Sequence, residues 1–331
     1  NHRQRLEKIF CRRSNIVKIS KLPSSRDTVR LMVTYRNLFY TPVYVAMAEK
    51  FFSEAGLDVI FKTARNAAEA MEALKNGNID ILQTGISRSF MELDNGSTNV
   101  PLHIAEINRG DGFFLLSRKT ITKWDWCNLQ GKTLIPIGFT PVPWMSLKYV
   151  LKLHQVNMES VSLITGLGLD EALAQFERGQ ADFIHLPNPQ AQDLVHQKIG
   201  YIVATPGDQL GYLCYSSFAV MPKLLENNPD LIQKFVDGFF KAQLWLYSQS
   251  SNSISKVVKR FFPEASDAVL EQSIALYKRN QTWSKDCLIG EVGYKAMNSL
   301  LMEGGLVTRS YPYEKVVRPE FAIKAMSAYS I

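Results

Sequence analysis

The sequence predicts an α/β fold of two Rossmann-like lobes joined by two crossover strands, with a helical C-terminal region. Three observations predict it. One pattern is written twice: residues 66–85 and 168–187 each run from a short amphipathic stretch through a glycine to an apolar strand. Glu69, Gly77 and Asp80 recur with the same gaps as Glu171, Gly179 and Asp182. A second echo precedes each copy, where an apolar strand leads into Phe39-Tyr40-Thr41-Pro42-Val43 or Gly138-Phe139-Thr140-Pro141-Val142. From Pro222 onward the apolar spacing is helical. Strand, helix, strand, helix, strand occurring twice implies two similar lobes with parallel sheets.

Taken in order, residues 1–28 read as a basic N-terminal tail. A strand is predicted from Val29, then a helix over 42–55 that stops at Gly56, then an alternating strand over 57–62. The first repeat copy follows. Its Ala70, Ala73 and Leu74 share a helical face, and Gly77 stands where a helix C-terminus favours a left-handed residue. Gly85 to Phe90 leaves the next strand and opens another helix. Residues 101–107 are a strand, 108–112 a turn, and Phe113 to Ser117 a strand leaving the first lobe. The second lobe repeats the series, with a helix over 143–153 and a strand over 160–164. The second copy then pairs Ala172, Leu173 and Phe176 with Gly179, and a helix over 190–196 and a strand over 201–204 complete the lobe. The apolar run 212–221 returns to the first lobe, and helices are predicted over 230–248, 253–261, 267–278 and 289–303. Lobe one is therefore expected to be discontinuous, 29–113 plus 221–331, with lobe two at 114–220. Hinges are expected near Phe113–Ser117 and Ser216–Val220.

A chain of 331 residues can build two domains with real cores. No apolar run approaches the roughly 20 residues that a membrane helix needs. The net charge of +7 is local: residues 1–30 hold nine Lys/Arg against Glu7 and Asp27, and the remainder carries 29 of each sign. Nothing in the body suggests a nucleic-acid face. The tail is expected to be a solvated leader or linker, with contact to anionic lipid or a partner as the sharper reading. The chain starts at Asn1 rather than methionine, which leaves open an upstream segment such as a removed export signal and proves nothing about one. Cys11, Cys127, Cys214 and Cys287 are isolated, and spacing does not choose among free thiols and the three possible pairings. The five histidines show no ligand spacing, so no metal and no cofactor are expected.

In open α/β sheets, ligands sit beyond the carboxyl ends of the strands, so two facing lobes would enclose a cleft. Thr41 and Thr140 each mark a helix start followed by proline, and free N–H groups there would attract an anionic or electronegative ligand group. Phe39, Tyr40, Phe139, Trp144, Tyr212 and Tyr215 cluster near strand ends and suit a flat ring, with Tyr40 and Trp144 the preferred wall residues. Asp111 is a candidate acceptor for a ligand amine, set against an ordinary turn role. Arg36 and Arg88 are the guanidinium candidates for a sulfonate or carboxylate, set against ordinary exposure on loops. His185, on an otherwise apolar strand, reads equally as a buried histidine or a ligand donor.

Three segments carry a resemblance: residues 48–59 (Ala48 to Val59, with Phe51-Phe52-Ser53-Glu54-Ala55-Gly56-Leu57-Asp58), the two helix-Gly-x-x-Asp units, and residues 220–235 from Val220 to Phe235. They resemble the type II periplasmic binding proteins of the nitrate, sulfonate and thiamine-pyrimidine group, over roughly residues 29–321. The resemblance implies a solute held between two closing lobes and passed to an ABC permease, a monomer, and a periplasmic or extracytoplasmic location, with a cytoplasmic one as alternative. It implies contacts at Phe39, Tyr40 and Thr41, at Gly85, Ile86 and Ser87, at Thr140, Pro141 and Val142, and at His185 and Asn188. Asn108 and Asp111 lie before the first crossing, and Tyr212 and Tyr215 near the second. The expected ligand is a small planar or anionic molecule: a thiamine-precursor pyrimidine, a sulfonate or an aromatic acid. Two rivals are an enzyme resembling the pyrimidine synthase of thiamine biosynthesis, and a ligand sensor that has lost its transporter. Against the enzyme stand the missing cysteine cluster and the absence of histidine from residues 35–41.

Overall fold

The computed structural model describes residues 26–329. Cys11 and most of the basic tail lie outside the described residues. In chain order the strands are β1 (Asp27–Val33), β2 (Leu57–Thr63), β3 (Ile81–Thr84), β4 (Leu102–Asn108), β5 (Phe113–Ser117), β6 (Thr133–Ile135), β7 (Ser162–Leu163), β8 (Phe183–Pro187), β9 (Tyr201–Ala204) and β10 (Ser216–Val220). They form two five-stranded sheets, ordered β2-β1-β3-β10-β4 and β7-β6-β8-β5-β9. The two orders correspond position by position.

The parallel sheets expected from the repeat are in fact mixed. In sheet one, β1 runs parallel to β2 and β3, whereas β10 is antiparallel to both β3 and β4. In sheet two, β6 runs parallel to β7 and β8, whereas β5 is antiparallel to β8 and β9. The reversed strand in each sheet is the one that the chain delivers from the other half, so it arrives running the opposite way. Phe113–Ser117 and Ser216–Val220, near which the hinges are expected, are therefore bonded on both sides within a sheet. The chain passes between sheets at residues 109–112 and 205–215, the latter carrying the short helix Pro206–Leu210.

The repeat itself has a structural job. The helices Ala67–Lys75 and Leu169–Glu177 end near Gly77 and Gly179, which adopt φ +71° and +82°, values that L side chains rarely reach. Three residues later, Asp80 accepts the backbone N–H of Arg30 in β1 at 2.7 Å, and Asp182 accepts that of Thr133 in β6 at 3.0 Å. Each aspartate thus ties the start of its strand to the parallel strand beside it, β3 to β1 and β8 to β6. Asp80 adds an ion pair with the Arg30 guanidinium at 2.7 Å.

Elsewhere the boundaries shift. β1 begins at Asp27, paired with Leu57. The single helix expected over 42–55 is two, Thr41–Ala48 and Phe51–Glu54, broken where Lys50 takes φ +62°. The helix Pro229–Ser248 covers sheet one, with Phe235 and Phe239 edge-on to Phe218 at 4.8 Å. Fully burying one such phenylalanine contributes roughly 1.5–3 kcal/mol. Two short helices not legible in the sequence, Tyr313–Val316 and Glu320–Ser327, close the C-terminal region. Among the described residues no helix is long and apolar enough to cross a membrane.

Candidate functional site

Between the two sheets lies a cavity of about 160 Å³. A cavity of roughly 150 Å³ holds a benzene ring. Its sheet-one side is formed where β1 and β3 end. Thr34 follows β1 and donates through both its N–H and its hydroxyl to Gln83 Oε1, at 3.1 and 2.9 Å. Tyr35 and Tyr40 meet edge-on at 5.3 Å, and burial pushes the Tyr40 phenol up to about 12, so both remain neutral donors. Gly85 opens the helix Ile86–Asp94 with no side-chain cap, and Ser87 and Arg88 project from its first turn into the cavity.

Sheet two contributes the start of the helix Pro141–Leu153. Thr140 occupies the cap position but its side chain makes no cap bond. Pro141 and Pro143 carry no N–H, which leaves Val142 as the one free donor among the first three helical residues. Phe139, 37% exposed, reaches across the opening and meets Tyr35 edge-on at 5.0 Å. That contact joins the two lobes over the cavity.

The electrostatics are one-sided. Arg65 and Arg88 line the cavity, and no Asp, Glu, His, Lys or Cys among the described residues does. Arg65 pairs with Glu69 at 3.1 Å. Arg88 is half-buried, and among the described residues no ion pair or side-chain hydrogen bond engages it; burial lowers its pKa. A cation in the first turn of a helix also opposes the helix dipole. Both costs are offset when an anion occupies the space in front of the guanidinium.

Of the sequence-derived candidates, the structure brings Tyr40, Gly85, Ser87, Arg88, Phe139, Thr140, Pro141, Val142 and Tyr215 to this cavity. Phe39 and Ile86 are instead buried beneath it, Phe39 packing on Phe113, Tyr215 and Tyr277. Thr41 is not the cap expected of it. Its hydroxyl donates to the Leu38 carbonyl at 2.6 Å, and Asn37 caps the turn by accepting from Phe39 N–H. Asn108 is buried and donates to the Phe39 carbonyl at 2.6 Å while accepting from Ser216. Asp111 and Tyr212 line a separate hollow at the crossings. Asp111 accepts from Phe113 N–H and from the Tyr215 hydroxyl, and burial pushes it up to about 6. His185 and Asn188 lie inside the protein. Among the described residues His185 has no hydrogen-bond partner on either nitrogen, and burial lowers it to about 3, so it is neutral; the N–H of Asn188 donates to the Tyr277 hydroxyl at 3.0 Å. Trp144 faces an outer groove beyond Phe139.

Sequence reasoning missed Thr34, Tyr35, Arg65, Asn66, Gln83, Thr84 and Ser216, and weighed Arg88 as an anion-pairing candidate against ordinary loop exposure. The signal for Arg88 was present: a helix start at Gly85 puts it in the first turn, where a cation is disfavoured unless something negative faces it. Arg36, the other guanidinium candidate, points away and pairs with Glu264 at 2.6 Å. Among the described residues Cys127 is an exposed free thiol, Cys214 and Cys287 are buried free thiols, and no group of His, Cys, Asp and Glu could hold a metal ion.

With this geometry in view, the likeness to known proteins is consistent. YtlA of Bacillus subtilis (strain 168), named as a candidate binding protein, is 29% identical over 300 residues, 90% of each chain. The structure superposes on that of SsuA from Methylobacillus flagellatus KT, a candidate periplasmic sulfonate-binding protein of an ABC transporter. The TM-score is 0.70 at 15% identity, covering 92% of this chain and 95% of that one. The desulfurization enzyme DSZB shares the fold as well, with a TM-score of 0.70 at 13% identity over 92% and 100% of the two chains. The fold is that of the type II periplasmic binding proteins. The NMT1-like family model matches residues 28–260, and the chain belongs to that family.

Proposed function

We propose that this protein captures a small organic anion with a flat portion, a sulfonate or aromatic carboxylate, in the cleft between its lobes. It would act outside the cytoplasm as the solute-binding component of an ABC importer. The observation that carries the reading is Arg88: a half-buried guanidinium without a carboxylate partner among the described residues, in a cavity whose charged lining residues are both arginines. Charge-assisted hydrogen bonds from that fork and from Ser87 would hold the anionic group. The rings of Tyr35, Tyr40 and Phe139 would flank the flat part. A neutral thiamine-precursor pyrimidine would leave the guanidinium unanswered, which ranks it below the anions. The absence of Cys, His and Lys from the cavity lining supports binding over chemistry. Closure about the crossings would let a permease distinguish the loaded protein from the empty one.

A thermal-shift screen tests this, because a ligand at about 100 times its Kd stabilises the native state by about 2.7 kcal/mol. Arenesulfonates, alkanesulfonates and aromatic carboxylates should raise Tm, with nitrate and neutral aminopyrimidines weaker. Stabilisation by the pyrimidines alone, undiminished in Arg88→Gln, would sink the anion reading.

A further inference from the structure

The cavity has a neighbour. A groove of about 310 Å³ lies on the sheet-two side, lined by Pro136, Ile137, Trp144 and Thr165 among others, and it shares Phe139, Thr140 and Pro141 with the inner cavity. One turn of chain is therefore the wall between two spaces. Among the described residues no charged one lines the outer groove, whereas both charged residues of the inner cavity are arginines. The wall's backbone is held: a Cβ on Gly138 would sit 2.4 Å from the Leu167 carbonyl oxygen, so the chain before Phe139 is wedged against the 165–168 loop. The Phe139 side chain, unlike that backbone, is not enclosed. It is 37% exposed, and its packing across the opening is the edge-on contact with Tyr35.

We infer that the natural ligand has two parts, an anionic head in the inner cavity and an apolar tail that displaces the Phe139 ring and lies in the outer groove against Trp144. This deepens the anion reading and rests on it. Phe139 then determines specificity by separating the two spaces for short anions and yielding to tailed ones. The rim carries a cation: Lys148 Nζ lies 5.5 Å above the Trp144 ring, outside the apolar lining.

The test is calorimetric titration with two probe pairs, benzenesulfonate against 4-butylbenzenesulfonate and benzoate against 4-butylbenzoate. The protein is used unaltered and as Thr165→Trp, an exposed groove position whose new indole takes up the tail's space and which does not touch the inner cavity. In the unaltered protein the butyl chain should tighten binding by roughly fourfold per methylene that enters the groove. Thr165→Trp should abolish that gain while leaving the short anions' affinity in place, which also reports that the variant is folded. Equal affinity within each pair, or a gain that survives Thr165→Trp, overturns the tail and leaves the anion cleft standing. If none of the four probes binds, the anion cleft fails and the tail goes with it.

Discussion

The guanidinium of Arg109 lies over the ring of Tyr212, 4.5 Å from its centroid, so the two segments that pass between the lobes touch each other. The Tyr212 hydroxyl donates to Glu106 Oε1 at 2.8 Å and accepts the N–H of Gly290 at 2.8 Å. The second crossing is thereby fastened to β4, from which the first departs, and to the C-terminal helical region. Tyr212→Phe leaves an acceptor and a donor without a partner. A loss of about 1–3 kcal/mol in urea unfolding is expected, and an unchanged midpoint would show that solvent replaces both bonds.

Glu106 also sets a pH dependence. Burial pushes its carboxyl from the ordinary 4.5 up to about 8, against the pull of the Arg109 Nε at 3.4 Å, which makes no hydrogen bond to it. Between those two values the folded protein holds a proton that the unfolded chain has released. Stability should therefore fall as pH rises from about 4.5 to 8, and level off beyond. Asp111, raised from 3.8 to about 6 by burial, adds to the fall at the acid end. Glu106→Gln should flatten the slope between pH 6 and 8 in thermal melts at graded pH; an identical slope would mean that Glu106 is ionised throughout.

Arg88→Gln should separate binding from stability. Losing one charge-assisted bond to the ligand costs about 1.5–3 kcal/mol, which is roughly a ten- to hundredfold rise in Kd for arenesulfonates by calorimetry. The ligand-free protein should melt no lower than before, because the change removes a partly desolvated charge that pairs with nothing. A fall in ligand-free Tm with unaltered affinity would make Arg88 a structural residue.

Gly112, at the end of the first crossing, admits no side chain. A Cβ there would lie 2.3 Å from Phe39 Cδ2 and 3.2 Å from Tyr277 Cε1, both inside the core. Gly112→Ala should destabilise the protein by about 1–3 kcal/mol through overpacking. Since Phe39 packs edge-on to Tyr215 at 5.3 Å, it should also weaken anion binding. Equilibrium unfolding and titration of the same preparation check both effects.

What the sequence disclosed follows from what repeats. Gly77 with Asp80 and Gly179 with Asp182 recur because each lobe ends a helix and ties a strand in the same way, so the architecture could be read from spacing alone. The aromatic-Thr-Pro-Val echo was a weaker guide. Its two copies are alike in sequence, yet Thr41 is sealed in the core by the Leu38 carbonyl while Thr140 lines the cavity. The Thr-Pro-Val core does not distinguish them; the difference lies just upstream in Asn37, which starts an extra turn before Thr41 and takes over the capping. His185 and Asn188 were misplaced for a similar reason. β5 pairs with β8 as far as Pro187, and the Tyr277 hydroxyl takes the Asn188 N–H, so this strand end is sealed inside the protein. The cavity's own polar residues, Thr34 and Gln83, follow from pairing across 49 positions, which no short window contains.

The exchanged strands fix an order of assembly. All five strands of sheet two fall within residues 113–204, so that sheet can close as soon as its own stretch of chain exists. Sheet one begins 86 residues earlier, at Asp27, yet between β3 and β4 it keeps two open edges until Ser216–Val220 has been made. As the chain leaves the ribosome, the half that is synthesised first must therefore be the half that matures last.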